Sequence, residues 1–223
     1  MAWRSSGSTN AGLVNNLAQN GLITNDRVKD AMLQVDRSHY APTSPFDDSP
    51  QLIGHQATIS APHMHASACE SLLPFLNPGS RVLDIGSGSG YLTAVFAKLV
   101  GETGTVIGVE HIQPLVALAQ ANMRKSADGR QMLDSGRVRF IKADGRKGWK
   151  DGAPYDAIHV GAAAAEHHVE LTEQLKAPGR LFVPVAEGWM QHIYVVDKKS
   201  DGSVERKKLY GVQYVPLTDA PVE

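Results

Sequence analysis

This chain of 223 residues has no second cysteine, no excess of either charge and no long apolar run. With Cys69 alone there is no internal disulfide, so the hydrophobic core must hold the fold. Lys and Arg number 22 against 23 Asp and Glu, a formal net charge of -1, and the clustered basic surplus of nucleic-acid binders is missing. Nucleic acid is therefore not an expected partner. No uncharged apolar stretch nears the roughly 18 residues that a bilayer span requires, and Met1-Ala2-Trp3-Arg4-Ser5-Ser6-Gly7-Ser8 lacks the apolar centre of a secretion signal. A reduced cytoplasmic setting with no membrane partner is the expectation. Gly and Pro, 21 and 12 residues, are too few for a low-complexity chain, and the length suffices for one domain with a sizeable core.

What is present is a change of rhythm along the chain. Leu13, Val14 and Leu17 make a helical stripe that stops at Asn20-Gly21; Val28, Ala31, Met32 and Val35 make a second, with Thr24 placed to cap it. From Tyr40 to His63, Pro42, Pro45, Pro50 and Pro62 exclude a long helix, while Leu52, Ile53 and Ile59 mark a folded loop. Short β-branched runs follow at 81–85, 105–110, 138–143 and 155–160, alternating with helical patterns at 92–100, 114–125 and 166–175. That alternation predicts an α/β fold, a mostly parallel sheet with helices on both faces. Beyond Arg180 come strands alone, at 181–185, 191–196 and 209–215, with hairpin chemistry in Ser200-Asp201-Gly202-Ser203 and an antiparallel last strand.

Asp84-Ile85-Gly86-Ser87-Gly88-Ser89-Gly90-Tyr91 stands where the first of these strands turns into a helix. Glycine there lets a ligand approach the backbone. Glu110 ends the next strand about twenty residues on, where a carboxylate can accept hydrogen bonds from both ribose hydroxyls. The nucleoside cofactor stays open at this point. Dinucleotide folds, however, use a small residue where Tyr91 stands, which argues against NAD and for S-adenosylmethionine. A second acid, Asp144, precedes Gly145 at the end of the third strand; it, or its neighbouring backbone, can meet the adenine amino group, or it can simply cap an Asx turn.

Longer stretches carry a more specific likeness. Met1-Ala2-Trp3, Asp36-Arg37-Ser38-His39-Tyr40-Ala41, Asp48-Ser49-Pro50-Gln51, the run from Gly54 to Ala66, the run from Tyr155 to Ala163, and Tyr214-Val215-Pro216-Leu217-Thr218-Asp219 together resemble the protein-L-isoaspartate (D-aspartate) O-methyltransferase family, in its animal form, over nearly the whole chain. The resemblance implies a class I S-adenosylmethionine-dependent methyltransferase: a Rossmann-like, mostly parallel seven-stranded sheet with helices on both faces, an N-terminal helical extension, and the last two strands exchanged. It implies one domain over 1–223, with helices and a substrate lid in 1–63, a cofactor-binding core in 64–185 and terminal strands in 186–223. Ala57, Thr58, Ile59, Ser60 and His65 would line the cofactor pocket with Ile85, Gly86, Ser87, Gly88, Glu110, His111, Asp144, Gly145 and Thr218. Ser60 would also face the acceptor carboxylate, making it the catalytic candidate. The implied substrates are proteins and peptides carrying isoaspartyl residues, repaired through a methyl ester and a succinimide, by a monomer. Glu223 departs from relatives that carry Gln there, so a contact from the extreme C-terminus is not carried over.

A carboxylic acid with a pKa near roughly 4 is already ionised at pH 7. Methyl transfer to it needs no general base, and the sequence supplies no obligatory His–acid pair. His63-x-His65 and His167-His168 lack the clustered Cys or acidic partners of a metal site. Cys69 reads as a small buried residue, and Asp36-Arg37 and Arg37-His39 as surface ion pairs, which the resemblance raises to candidates for shaping the substrate cleft. Two other classes stay in view: a dinucleotide-dependent oxidoreductase and a non-catalytic adenosyl-binding regulator. The segment around Ser60 separates the second from an enzyme, because cofactor binding alone does not demand it.

Overall fold

The computed structural model describes residues 5–217. Thr9 caps α1 (Asn10–Gln19) by accepting from the Gly12 amide at 3.0 Å. The cap of α2 (Asp26–Gln34) is Asn25, not Thr24. Thr24 is engaged elsewhere: its hydroxyl donates to Glu70 Oε2 at 2.7 Å, and its amide and that of Asn25 donate to Oε1. Glu70 lies on α3 (Pro62–Leu72), so this carboxylate ties the helical pair to the body. Arg27 adds a second tie by donating to the carbonyls of Leu76 and Leu99. Leu13, Val14, Leu17, Val28 and Met32 are fully buried by this docking.

The sheet is built by β3 (Arg81–Ile85), β4 (Thr105–Glu110), β5 (Val138–Lys142), β6 (Tyr155–Val160), β7 (Leu175–Glu187), β8 (Met190–Lys198) and β9 (Val204–Val212), in the spatial order β5-β4-β3-β6-β7-β8-β9. The first five are parallel. β8 runs antiparallel to β7, and β9 antiparallel to β8, so the last strand points with the body of the sheet again. The final three strands lie side by side in chain order, the exchanged arrangement that the resemblance implied. Successive residues face opposite sides: Val82, Ala157 and Phe182 join one buried cluster, while Leu83, Ile85, Ile158, Val160, Leu181 and Val183 join the other.

Helices α1 to α3, α4 (Tyr91–Leu99), α5 (Gln113–Met123) and α6 (Ala127–Asp134) all feed the first cluster. The other face carries α7 (Val169–Glu173), through Leu171, and two 3-10 turns at 145–147 and 150–152. Helices do cover both faces, but unevenly. The helical pattern expected over 166–175 shortens because Gln174 turns to those 3-10 turns, accepting from the Trp149 amide and donating to the Lys147 carbonyl, both at 2.8 Å. The chain then enters β7 at Leu175, earlier than expected, and passes Pro178-Gly179 with a shift in its register against β6. β9 begins at Val204, not Leu209, because the 199–203 turn sets the register from Lys198 opposite Val204. The polar helix α6 had no legible stripe; Gly129 and Met132 are its buried residues. The folded loop 40–63 holds a hairpin, β1 (Gln51–Gly54) with β2 (Ala57–Ile59). Among the described residues no helix is long and apolar enough to cross a membrane.

Truncating Leu17 to alanine should lower the unfolding free energy by about 2–5 kcal/mol in a urea titration. The same change at Leu52, 73% exposed on the hairpin, should stay within about 0.5 kcal/mol. Equal effects would mean that the N-terminal helices do not unfold with the sheet.

Candidate functional site

Parallel pairing sets Ile85 level with Val109 and Val160, so the carboxyl ends of β3, β4 and β6 open onto one crevice where the direction of the strand order reverses. The glycine loop bridges it. Gly86 and Ser87 donate to the Val109 carbonyl, Gly161 donates back to Ile85, and Gly88 donates to Glu110 Oε2 at 3.1 Å. Glu110 Oε1 accepts from the amides of His111 and Ile112 at 2.8 and 3.2 Å. Three backbone donors thus orient a buried carboxylate that has about four acceptor positions, leaving room for a hydroxyl. Gly90 begins α4 at φ +85°, and a Cβ there would lie 3.0 Å from Phe140 and 3.1 Å from Ala119. The close helix–sheet packing expected one position later is therefore made by Gly90, which frees Tyr91 for another task.

A cavity of about 330 Å³ lies above the loop, within the range of small-molecule sites. Ala57, Thr58, Ile85, Gly86, Gly88, Glu110, His111 and Gly145 line it, as the sequence led us to expect. Ile59, Ser60, His65 and Ser87 line instead a narrow cleft of about 30 Å³ that shares Thr58, Gly86, Gly88 and Gly161 with the cavity. Asp144 borders neither. Its carboxylate caps the following turn at the Arg146 amide and is gripped by the Arg146 side chain through two bonds of 2.9 Å, which hold its pKa down. The Asx-turn reading holds, and Gly145 is the residue that reaches the cavity. Thr218 and Glu223 lie outside the described residues.

Sequence reasoning missed several walls. Ile112 and Leu115 close one side, and their signal was two apolar residues directly after Glu110-His111. Val215, Pro216 and Leu217 close another, pinned by Ala163, whose amide donates to Val215 and whose carbonyl accepts from Leu217, both at 2.8 Å. The hairpin tip overhangs the mouth with His55 and Gln56 at φ +51° and +57°, a two-residue turn that glycine would normally occupy. Among the described lining residues Glu110 is the only carboxylate, and no Lys or Arg joins it.

Arg37 overturns its reading as a surface residue. It is fully buried, with Nη2 donating to the Ser60 carbonyl at 2.8 Å, Nη1 3.3 Å from His65 Nδ1, and its guanidinium 5.0 Å from the centre of the Tyr91 ring. Burial lowers its pKa to about 10, so it stays protonated. Burial, and then Arg37 itself, push His65 well below the ordinary histidine value of 6.5; the neutral imidazole accepts at Nδ1. Buried Asp48 holds His63 by its amide and ring at 2.9 and 2.8 Å. Each histidine of the His63-x-His65 pair thus has its own protein partner. Beneath the cleft, Asp84 lies 2.8 Å from His159 Nδ1 and accepts from the Thr93 hydroxyl, while the His159 ring stacks on Phe182. The Cys69 thiol is fully buried and its pKa raised by that burial, as suits a packing residue.

Comparison with known proteins adds an independent finding. The family model for protein-L-isoaspartate(D-aspartate) O-methyltransferase matches residues 8–221. The chain is 47% identical to a protein-L-isoaspartate O-methyltransferase of Caenorhabditis elegans, over 98% of this chain and 96% of that one. It is 50% identical to protein-L-isoaspartate O-methyltransferase 1 of Arabidopsis thaliana, over 96% and 93%. In three dimensions it is similar, with a TM-score of 0.88 and 34% identity over 95% of this chain and 99% of the other, to a Plasmodium falciparum protein described as a beta-aspartate methyltransferase in complex with S-adenosyl-L-homocysteine.

Two measurements test this site. The Tyr91 hydroxyl is buried without a partner among the described residues; Tyr91→Phe should raise the unfolding free energy by about 1 kcal/mol, and a loss would reveal a bonded hydroxyl. Between the depressed pKa of folded His65 and 6.5, the unfolded chain binds a proton that the folded one refuses, so stability rises with pH in that window and is lost on acidification. Urea titrations from pH 7.5 to 5 should show that loss, and His65→Gln should flatten it.

Proposed function

The chain belongs to the protein-L-isoaspartate(D-aspartate) O-methyltransferase family, and from that premise we infer how its geometry serves the reaction. The enzyme methylates the free α-carboxylate of L-isoaspartyl residues in damaged proteins and peptides, with S-adenosylmethionine as methyl donor. The observation that carries the reading is the pairing of two spaces. One is a cavity whose only charge among the described residues is a backbone-oriented carboxylate; the other is an adjoining cleft edged by Ser60 and backed by a buried cation.

The donor set suits an adenosyl cofactor. A carboxylate with no facing Lys or Arg welcomes ribose hydroxyls and a positive centre, and opposes a pyrophosphate. In this reading Glu110 holds the ribose, Ile112 and Leu115 give the base an apolar bed, and Gly86, Thr58 and His65 border the far end. S-adenosylmethionine, when bound, supplies a methyl group made electrophilic by its sulfonium. The protein's share is to align an acceptor that arrives already ionised, and near-attack positioning is worth roughly 7–11 kcal/mol. Ser60 donates its hydroxyl to one acceptor oxygen and leaves the other free to attack. Arg37 fixes the Ser60 carbonyl from below, and the hairpin 51–59 closes over the pair, with Ile53 against Gly88. The ester can expel methanol where a carboxylate cannot expel oxide, so after release the following backbone nitrogen attacks the ester carbonyl, methanol leaves, and the succinimide closes without further help from the protein.

We place the reaction in the cytoplasm, on isoaspartyl proteins, and take the whole chain as one methyltransferase domain acting as a monomer with no nucleic-acid partner. The lone cysteine and the balanced charge support this.

The test is labelled-methyl transfer to an isoaspartyl peptide and to its normal aspartyl twin. Transfer should be confined to the isoaspartyl form, with a rate flat from pH 6 to 8 because no base must ionise. Loss of a charged hydrogen bond, about 1.5–3 kcal/mol, predicts that Ser60→Ala lowers kcat/KM by about 10- to 100-fold. Unchanged kcat/KM would remove Ser60 from the acceptor site.

A further inference from the structure

An acceptor that is a polypeptide must leave the Ser60 cleft across the protein surface, and resting on the methyltransferase reading, we infer that the tip of the β7–β8 hairpin is where its flanking residues dock. β7 runs parallel to β6, so the hairpin tip rises from the same carboxyl edge as the cofactor cavity. Ala164 joins the two: its amide donates to Pro184 and its carbonyl accepts from Ala186, and it lies three and two residues beyond Gly161 and Ala162 of the cavity wall. On the other flank Gln191 grips Tyr214, donating to its carbonyl at 3.1 Å and accepting from its amide at 2.6 Å. Tyr214 leads directly into the wall formed by 215–217. The tip is thus continuous on two sides with the wall of the cofactor cavity, and through Gly161, which borders both spaces, with the Ser60 cleft.

Its chemistry suits an apolar segment of chain. Gly188 and Trp189 form the turn; Trp189 is 104% exposed and Met190 63%. An open groove lies beside them, floored by residues 211–213. The nearby carboxylate, Glu187, is already bonded to Tyr194 and Lys208, so no unpaired charge stands between the apolar pair and the groove. A second copy of this chain is disfavoured as the occupant, because the open edge of β9 carries Glu205, Arg206, Lys207 and Lys208, charges that oppose edge-to-edge pairing. Trp189 stands four residues beyond Val185, opposite Ala164, about 13 Å at roughly 3.3 Å per residue. An extended acceptor covers that length in about four residues, and the step from Ala164 back to Gly161 at the cleft adds to it, so we place the docking segment about four to six residues from the isoaspartyl position.

The experiment compares the full chain with its Trp189→Ser variant on three isoaspartyl peptides. One is a tetrapeptide, one a 13-mer with Leu and Phe four to six residues from the isoaspartate on both sides, and one the same 13-mer with Ser at those positions. The variant should raise KM about five- to tenfold for the apolar 13-mer alone, leave kcat unchanged, and keep KM for the other two within twofold. The exposed side chain should leave the urea midpoint in place. Equal KM for the apolar 13-mer, an equal rise on all three peptides, or a shift from dimer to monomer in sedimentation would each overturn the docking surface. Failure of the unaltered protein to methylate any peptide would instead overturn the methyltransferase reading beneath it.

Discussion

A guanidinium buried without a carboxylate in contact organises the entrance to the cleft. Burying a bare cation costs several kcal/mol, and Arg37 offsets this with the Ser60 carbonyl, the neutral His65 ring and the face of Tyr91. Each of those partners belongs to a different layer: Ser60 follows the hairpin, His65 sits in the first turn of α3, and Tyr91 opens α4 after the glycine loop. One side chain therefore holds hairpin, helix and loop in a single arrangement. Tyr40 packs edge-on against Tyr91 at 5.6 Å, so the segment that carries Arg37 is itself locked against the residue it covers.

The electrostatics of the proposed reaction follow from the same arrangement. An anionic acceptor and a sulfonium cation both lose charge as the methyl group moves, so the transition state is less charged than the bound reactants. A fixed positive residue near the acceptor then favours the bound ground state more than the transition state, and its influence belongs chiefly to binding. Glu110 has the opposite sign and sits at the opposite end, beyond the glycine loop, where backbone amides rather than cations hold it. In the proposed arrangement Glu110 therefore serves the ribose hydroxyls, and Arg37 lies at the end where the negative acceptor enters.

Much of this was legible along the chain and some was not, for physical reasons. The strands at 81–85, 105–110 and 155–160, the glycine loop and the placement of Glu110 followed from local pattern, because a buried parallel strand and a strand-to-helix turn each write their needs into adjacent residues. The burial of Arg37 left no such trace: Asp36-Arg37-Ser38-His39 has the composition of a solvated surface, and only the packing of the hairpin's end, α3 and α4 around it removes the water. Asp144 shows the reverse. Its pairing with Arg146, two residues on, is local and legible, whereas the approach of its neighbour Gly145 to the cavity depends on how the far end of the chain folds back. Tyr91 was read as a missing small residue, since the sequence could not reveal that Gly90 already makes the close approach.

The order of the last three strands has a consequence for what the cavity is made of. Because β8 and β9 add one after the other beyond β7, the chain leaves β9 at the carboxyl edge and its next residues run straight back over the crevice, where Ala163 pairs with Pro216. Exchange of those two strands would end the chain on the antiparallel neighbour, at the far edge of the sheet, and Val215 to Leu217 could not reach Gly145 and Ile85. The same end that closes the cofactor space is clamped by Gln191 to the hairpin bearing Trp189. In this fold the wall of the proposed cofactor space and the surface proposed for the acceptor are therefore one continuous piece of backbone, and a change in strand order would separate them.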